Sequence, residues 1–300
     1  MDTLATAFRE QIKKAMSLTK VATVVTEHNV YQEGDDNILP ILDEMASSLI
    51  LPGSGMDGME NLEELLTKAE TGKSCLLLLE HYSNFDLTIF SLLARRAGGR
   101  GEDIAKNLVA VAGMKLNEDN PVVAAFASAY TRIVIYPSRS LQGLDAEKDH
   151  AEIVRSNAIN RAALKALNDL KVQGKLVLVF PSGTRYRAWD SSSKKGVREI
   201  DSYIRSFDYM CCVALNGEIL HVQKTDMIND AVSSDLLRVT AGPVYSCAWF
   251  RDKARAAAEA AGIEDKKQAA VDAIMEELDR LHTAAEEKRQ RLLKETASSV

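Results

Sequence analysis

The sequence predicts an α/β fold: a mixed central sheet flanked by helices, with a small N-terminal helical domain in front of it. Three observations predict this. Short apolar runs at 74–80, 107–112, 132–136 and 175–180 alternate with segments of helical periodicity, which gives a sheet with helices packed on its faces. The first fifty residues carry helical spacing without such runs. And 300 residues exceed the usual size of one core, which suits a large domain carrying a smaller one.

In chain order, Leu4, Phe8, Ile12 and Met16 predict a helix over 4–25, and Ile41, Leu42, Met45 and Leu49 predict another over 38–51. Residues 1–55 are therefore read as a helical domain or hairpin and 56–300 as the α/β domain. The linker is 51–58, with Pro52 and three glycines. Helices are expected over 60–69, before the first strand, and over 84–97, 121–127 and 153–170, between the four strands. Two or three further strands are expected between Asp208 and Val244. The segment 251–293, rich in Ala, Glu, Lys and Arg, reads as helix with a solvated charged face.

A formal net charge of -6 argues against wrapping nucleic acid while leaving room for a local basic pocket. Cys75, Cys211, Cys212 and Cys247 have spacings that suit neither zinc nor a disulfide framework; they read as reduced core thiols of a cytoplasmic protein, with no metal site. No signal-like stretch is evident, and no apolar run reaches the roughly 20 residues of a spanning helix. The expectation is a soluble chain, at most peripheral to a membrane.

Two constellations carry chemistry. In LLLLEHYSNFDLTIF, a strand gives way to a helix across His81 and Asp86. An imidazole takes a proton from an alcohol near neutral pH, and a carboxylate fixes its tautomer. The plainer reading is a strand-end histidine bonded to backbone and an aspartate in a first helical turn. Ser83, two residues after the base, is a poor nucleophile. His28, His150, His221 and His282 have no comparable setting in the sequence.

The second constellation is KLVLVFPSGTRYRAW, where a strand ends in a Ser182-Gly183-Thr184 turn and Gly183 permits close approach of a ligand. Arg185 and Arg187, two apart in extended chain, are able to face one anion. Arg139, after the 132–136 strand, is a third candidate. Solvated loop arginines are the alternative for all three.

At these boxes the chain resembles the glycerolipid acyltransferase family, whose hallmarks are HxxxxD and FPxGTR. They read here HYSNFD (His81 to Asp86) and FPSGTR (Phe180 to Arg185), and the likeness continues through VAGMKLNEDNP (Val111 to Pro121) and RIVIYPSRS (Arg132 to Ser140). Within the family it is most similar to soluble, plastid-type glycerol-3-phosphate 1-acyltransferases, which place a helical bundle first and carry SGxRxR in place of EGTR. Ser182, Gly183, Arg185 and Arg187 match that form.

The resemblance implies transfer of an acyl group to the sn-1 hydroxyl of glycerol 3-phosphate, a first step of phospholipid synthesis, in the cytoplasm or plastid stroma. The co-substrate would be a thioester of acyl carrier protein or coenzyme A, with no bound cofactor. His81 would be the general base, Asp86 its orienting partner, Arg139, Arg185 and Arg187 the phosphate ligands, and Ser182 to Thr184 the substrate-binding loop. An oxyanion donor is expected among the backbone amides near Asn84. The chain departs from the pattern at Glu80, where many members have Asn or Ser, at Ser182, where many have Glu, and around Ala129 to Ile135, where a middle-box glycine is not evident.

Other readings remain open at this point. A 1-acylglycerol-3-phosphate acyltransferase uses the same boxes, and a non-catalytic acyl-carrier or lipid-binding protein keeps the fold. The run Gly53 to Gly58 is a literal GxGxxG, which would mark an NAD-binding enzyme if a strand preceded it. Ile89, Phe90, Leu93, Val122 and Phe126 are either core or the lining of an acyl tunnel. Lys14, Lys20, Lys194, Lys195 and Arg198 are scattered candidates for meeting an acidic carrier.

Overall fold

The computed structural model describes residues 2–20, 24–118, 120–141, 143, 145 and 147–298. The N-terminal part holds α1 (Leu4–Ala7), α2 (Arg9–Leu18), β1 (Tyr31–Gln32), α3 (Leu39–Leu49), β2 (Gly55–Asp57) and α4 (Met59–Glu70). Then come β3 (Cys75–Leu79), α5 (Asp86–Ala97), α6 (Gly101–Lys106), β4 (Leu108–Gly113), α7 (Lys115–Glu118), α8 (Pro121–Ala127), β5 (Arg132–Ile135), α9 (His150–Leu170) and β6 (Leu176–Val179). The last third holds α10 (Ile200–Ser206), β7 (Tyr209–Asn216), β8 (Leu220–His221), β9 (Ala231–Val232), β10 (Arg238–Ser246), α11 (Cys247–Ala260) and α12 (Lys266–Ser298).

Eight strands form one mixed sheet in the order β1-β5-β4-β6-β3-β7-β10-β2. The pairs from β5 through β7 are all parallel, β1 and β10 pair antiparallel with their inner neighbours, and β2 runs parallel to β10. β3 is buried at every position because it is covered on both faces, which is why it reads as an unbroken apolar run. Its side chains alternate nonetheless: Cys75, Leu77 and Leu79 join one core with α1 to α5 and α8, while Leu76 and Leu78 join the other with α9 to α12. Adjacent Cys211 and Cys212 divide between the two faces in the same way. All four cysteines are buried and unpaired.

The expected strands and helices between 59 and 179 are present within a few residues of their predicted ends. Three regions differ. The first helix breaks at Phe8 and ends at Leu18; the rest of the predicted span includes Val21–Thr23, which lie outside the described residues. Leu4, Ile12, Leu42 and Met45 share their core with Leu77 and Phe85, so the N-terminal helices pack directly on the sheet. Four strands rather than two or three follow Asp208, because β8 and β9 are too short to show a period. The C-terminal helix is split by Gly262, whose φ of 69° lies in the left-handed region.

The GxGxxG run is not a dinucleotide loop. The segment before it is helix α3, and Gly53 and Gly58 flank edge strand β2, which Gly55 begins, against β10. Gly58 is required by packing: a Cβ there would stand 2.1 Å from the Ala241 carbonyl oxygen. No helix among the described residues is long and apolar enough to cross a membrane.

Candidate active site

Because β3 to β6 are parallel, the segments leaving their C-terminal ends gather along one edge of the sheet, where open α/β sheets bind ligands. His81 leaves β3, Lys115 follows β4, Arg139 follows β5, and Phe180 to Arg187 follow β6. One cavity of about 990 Å³ runs along this edge. His81, Asn84, Lys115, Arg139, Arg185 and Arg187 all line it, as do Gly183 and Thr184.

His81 Nδ1 lies 2.9 Å from Asp86 Oδ2. Asp86 is the first residue of α5 and is only 1% exposed, so its oxygens must find protein donors. They do: the Tyr82 amide at 2.6 Å, the Ser83 amide at 2.9 and 3.0 Å, and the Ser83 hydroxyl at 2.8 Å. An acceptor surrounded in this way accepts a hydrogen bond from Nδ1–H and so leaves Nε2 as the nitrogen with a lone pair. Among the described residues, Nε2 has no partner. Phe180 stacks on the imidazole with centroids 4.0 Å apart and holds its plane. Ser83 is committed to Asp86, which removes it as a nucleophile. Its hydroxyl also accepts the Phe85 amide, so the Asn84 amide alone in the 82–85 turn has no partner among the described residues.

The second box is tied to the first, since the Tyr186 amide donates to the His81 carbonyl at 2.7 Å. Gly183 has φ 61° and a Cβ there would press on Val197 at 3.2 Å, so the turn needs glycine. Ser182 does not line the cavity; its hydroxyl donates to the Thr184 carbonyl at 2.6 Å and shapes the turn. The arginines differ from one another. Arg185 is paired at 2.7 Å with Asp230, a carboxylate with no exposure. Burial pushes the Asp230 carboxyl up, against the opposing pull of the Gln223 amide and Arg185. Arg139 and Arg187 make no side-chain hydrogen bond or ion pair among the described residues. Asp190 is held below its ordinary value, first by Ser192 and then by the charges of Arg187 and Arg139, so both guanidinium groups lie within electrostatic reach of one carboxylate.

A family model described as Acyltransferase matches residues 56–248, well over half of the chain. The chain belongs to the acyltransferase family. No curated protein matches it. The match spans both boxes of this acyltransferase, and the basic nitrogen and the cations they supply open into the same cavity.

Sequence reasoning missed several residues of the acyltransferase site. Asp230, which fixes Arg185, comes 45 positions later with no local signal. Asn160 lines the cavity and clamps the β5 exit, accepting the Tyr136 amide at 2.8 Å and donating to its carbonyl at 3.0 Å. Three of the other histidines do have carboxylate neighbours: His221 Nδ1 lies 3.0 Å from Glu218, His282 Nδ1 lies 2.8 Å from Glu80, and the exposed His28 lies 3.7 Å from Glu27. Of the tunnel candidates only Phe126 lines the cavity; Ile89, Phe90, Leu93 and Val122 are core.

Proposed function

We propose that this acyltransferase is a glycerol-3-phosphate 1-O-acyltransferase drawing on an acyl thioester of acyl carrier protein or coenzyme A. The observation that carries the reading is that one cavity is lined by His81, whose Nε2 has no partner among the described residues, and by Arg139 and Arg187, whose guanidiniums are likewise unpaired among them. A phosphate needs cations, and its own alcohol needs a base; one small molecule carrying both fits that pair of devices.

In the reaction, Arg139 and Arg187 hold the phosphate, with Arg185, already anchored by Asp230, as the third cation. His81 Nε2 takes the proton of the sn-1 hydroxyl as its oxygen attacks the thioester carbonyl carbon. The Asn84 amide, at the start of α5, donates to the oxyanion that forms. The carbonyl re-forms, the C–S bond breaks, and the leaving thiolate takes the proton from the imidazolium. The thioester is already activated, so no acyl-enzyme is needed and the protein supplies positioning and a base. The apolar side chains of Val123, Phe126, Leu164 and Leu167 also line the cavity and are the candidates for meeting the acyl chain.

The test is an acceptor comparison: glycerol 3-phosphate against its 1-acyl derivative, with each thioester type. Acylation of glycerol 3-phosphate is expected. Turnover of the 1-acyl derivative alone would overturn the reading in favour of the second acylation step, and absence of transfer from every thioester would favour a binding protein.

A further inference from the structure

Glu80 precedes the catalytic histidine and is buried, a setting that demands partners for a carboxylate. It has three. Oε2 accepts the Leu215 amide at 2.9 Å and faces His282 Nδ1 of α12 at 2.8 Å, while Oε1 accepts the Tyr82 hydroxyl at 3.1 Å. The same hydroxyl lies 3.3 Å from His282 Nδ1. Tyr82 is the residue whose amide donates to Asp86 Oδ2, the oxygen that holds His81. Its ring also meets Tyr186 edge-on at 5.9 Å, and Tyr186 carries the amide bonded to the His81 carbonyl. A single aromatic residue thus joins the C-terminal helix to both boxes.

We infer that His282 is a positioning residue for the His81–Asp86 pair: by balancing Glu80 and anchoring Tyr82, it fixes the turn whose amides hold Asp86. This rests on the reading of His81 as the base. His282 faces Glu80 and Tyr82 from the β3 exit, Glu286 from its own helix, Lys194 from the segment after the second box, and the uncharged Asn216 amide of β7, which donates to its carbonyl. Burial opposes its charged form, but the hydrogen bond and charge of Glu80 outweigh burial and raise its pKa above the ordinary 6.5. Loss of that proton leaves the buried Glu80 carboxylate less compensated and loosens Tyr82.

The test combines imidazole NMR titration of the full chain, which needs no turnover, with acyl-transfer kinetics. The His282 signal is expected to titrate above 6.5, with a second inflection at the same pH in the His81 signal. Tyr82→Phe, which removes one hydroxyl and no charge, is expected to erase that second inflection. His282→Phe is expected to lower kcat by about ten- to a hundredfold with the KM for the acceptor within about twofold, and to shift the alkaline limb of the pH profile. A His81 signal blind to His282, or one whose second inflection persists in Tyr82→Phe, overturns the inference. So does wild-type kcat with an unchanged pH profile in His282→Phe. If His81→Ala is fully active, the base assignment fails instead, so the two failures are distinct.

Discussion

Two imidazole–carboxylate pairs of this protein have nearly the same geometry and opposite surroundings. His81 and Asp86 are 2.9 Å apart, and His221 and Glu218 are 3.0 Å apart. His221 even has a serine at its far nitrogen, with Ser233 Oγ 2.7 Å from Nε2. Those three have the residue types of a hydrolase triad, yet none of them lines the cavity. The difference lies in what each nitrogen is left to do. Asp86 is buried and bound by amides, so it orients one side of His81, a residue that lines the cavity, and leaves Nε2 without a partner among the described residues. His221 has both nitrogens occupied and bridges the β8 and β9 segments. Distance to a carboxylate does not distinguish the two pairs; a nitrogen without a partner among the described residues, on a residue that lines the cavity, does.

The largest effect separates the two pairs directly. His81→Ala is expected to lower kcat by at least about 100- to 10,000-fold with the fold intact by circular dichroism, while His221→Ala stays within about twofold. Equal losses in both variants would erase the distinction. Next in size, Arg187→Ala is expected to raise the KM for glycerol 3-phosphate by about ten- to a hundredfold, the worth of a hydrogen bond to a charged group, with little change for the thioester. An effect confined to the thioester would move the cations to the other substrate. Asp230→Asn, which keeps the shape but loosens Arg185, should raise the same KM by a smaller factor, read in the same assay.

A third pair, His282 and Glu80, sharpens the contrast through stability rather than rate. Its histidine has a raised folded-state pKa, so its stabilisation is whole below the unfolded value near 6.5 and is lost as pH rises through the folded value. The Tm difference between wild type and His282→Gln should therefore shrink as pH rises from below 6.5 through the raised folded-state value; a constant difference would remove the ionic component. The smallest effect is an expected silence. Burial pushes the Cys75 and Cys247 thiols up to about 12, and all four cysteines are buried, so the native protein should resist alkylation until denatured.

How much of this is legible in the sequence follows from how local each feature is. The β3 run, the HYSNFD turn and the FPSGTR turn are each contiguous, and two turns that follow parallel strands of one sheet necessarily share its C-terminal edge. Alternation suggests that Arg185 and Arg187 share one anion, but nothing near Arg185 announces Asp230, which pairs with it at 2.7 Å. Glu80 reads as a mere departure from the family pattern because two of its three partners, Leu215 and His282, are 135 and 202 positions away. The glycines of 53–58 mislead in the opposite sense: a local pattern suggests a nucleotide loop, where contact with Ala241 shows a packing requirement.

The most direct measurement is the position of glycerol 3-phosphate bound to the full chain, by crystallography. The account predicts its phosphate on Arg139 and Arg187 and its sn-1 oxygen about 3 Å from His81 Nε2. A phosphate bound away from both arginines, or a hydroxyl out of reach of that nitrogen, would contradict it.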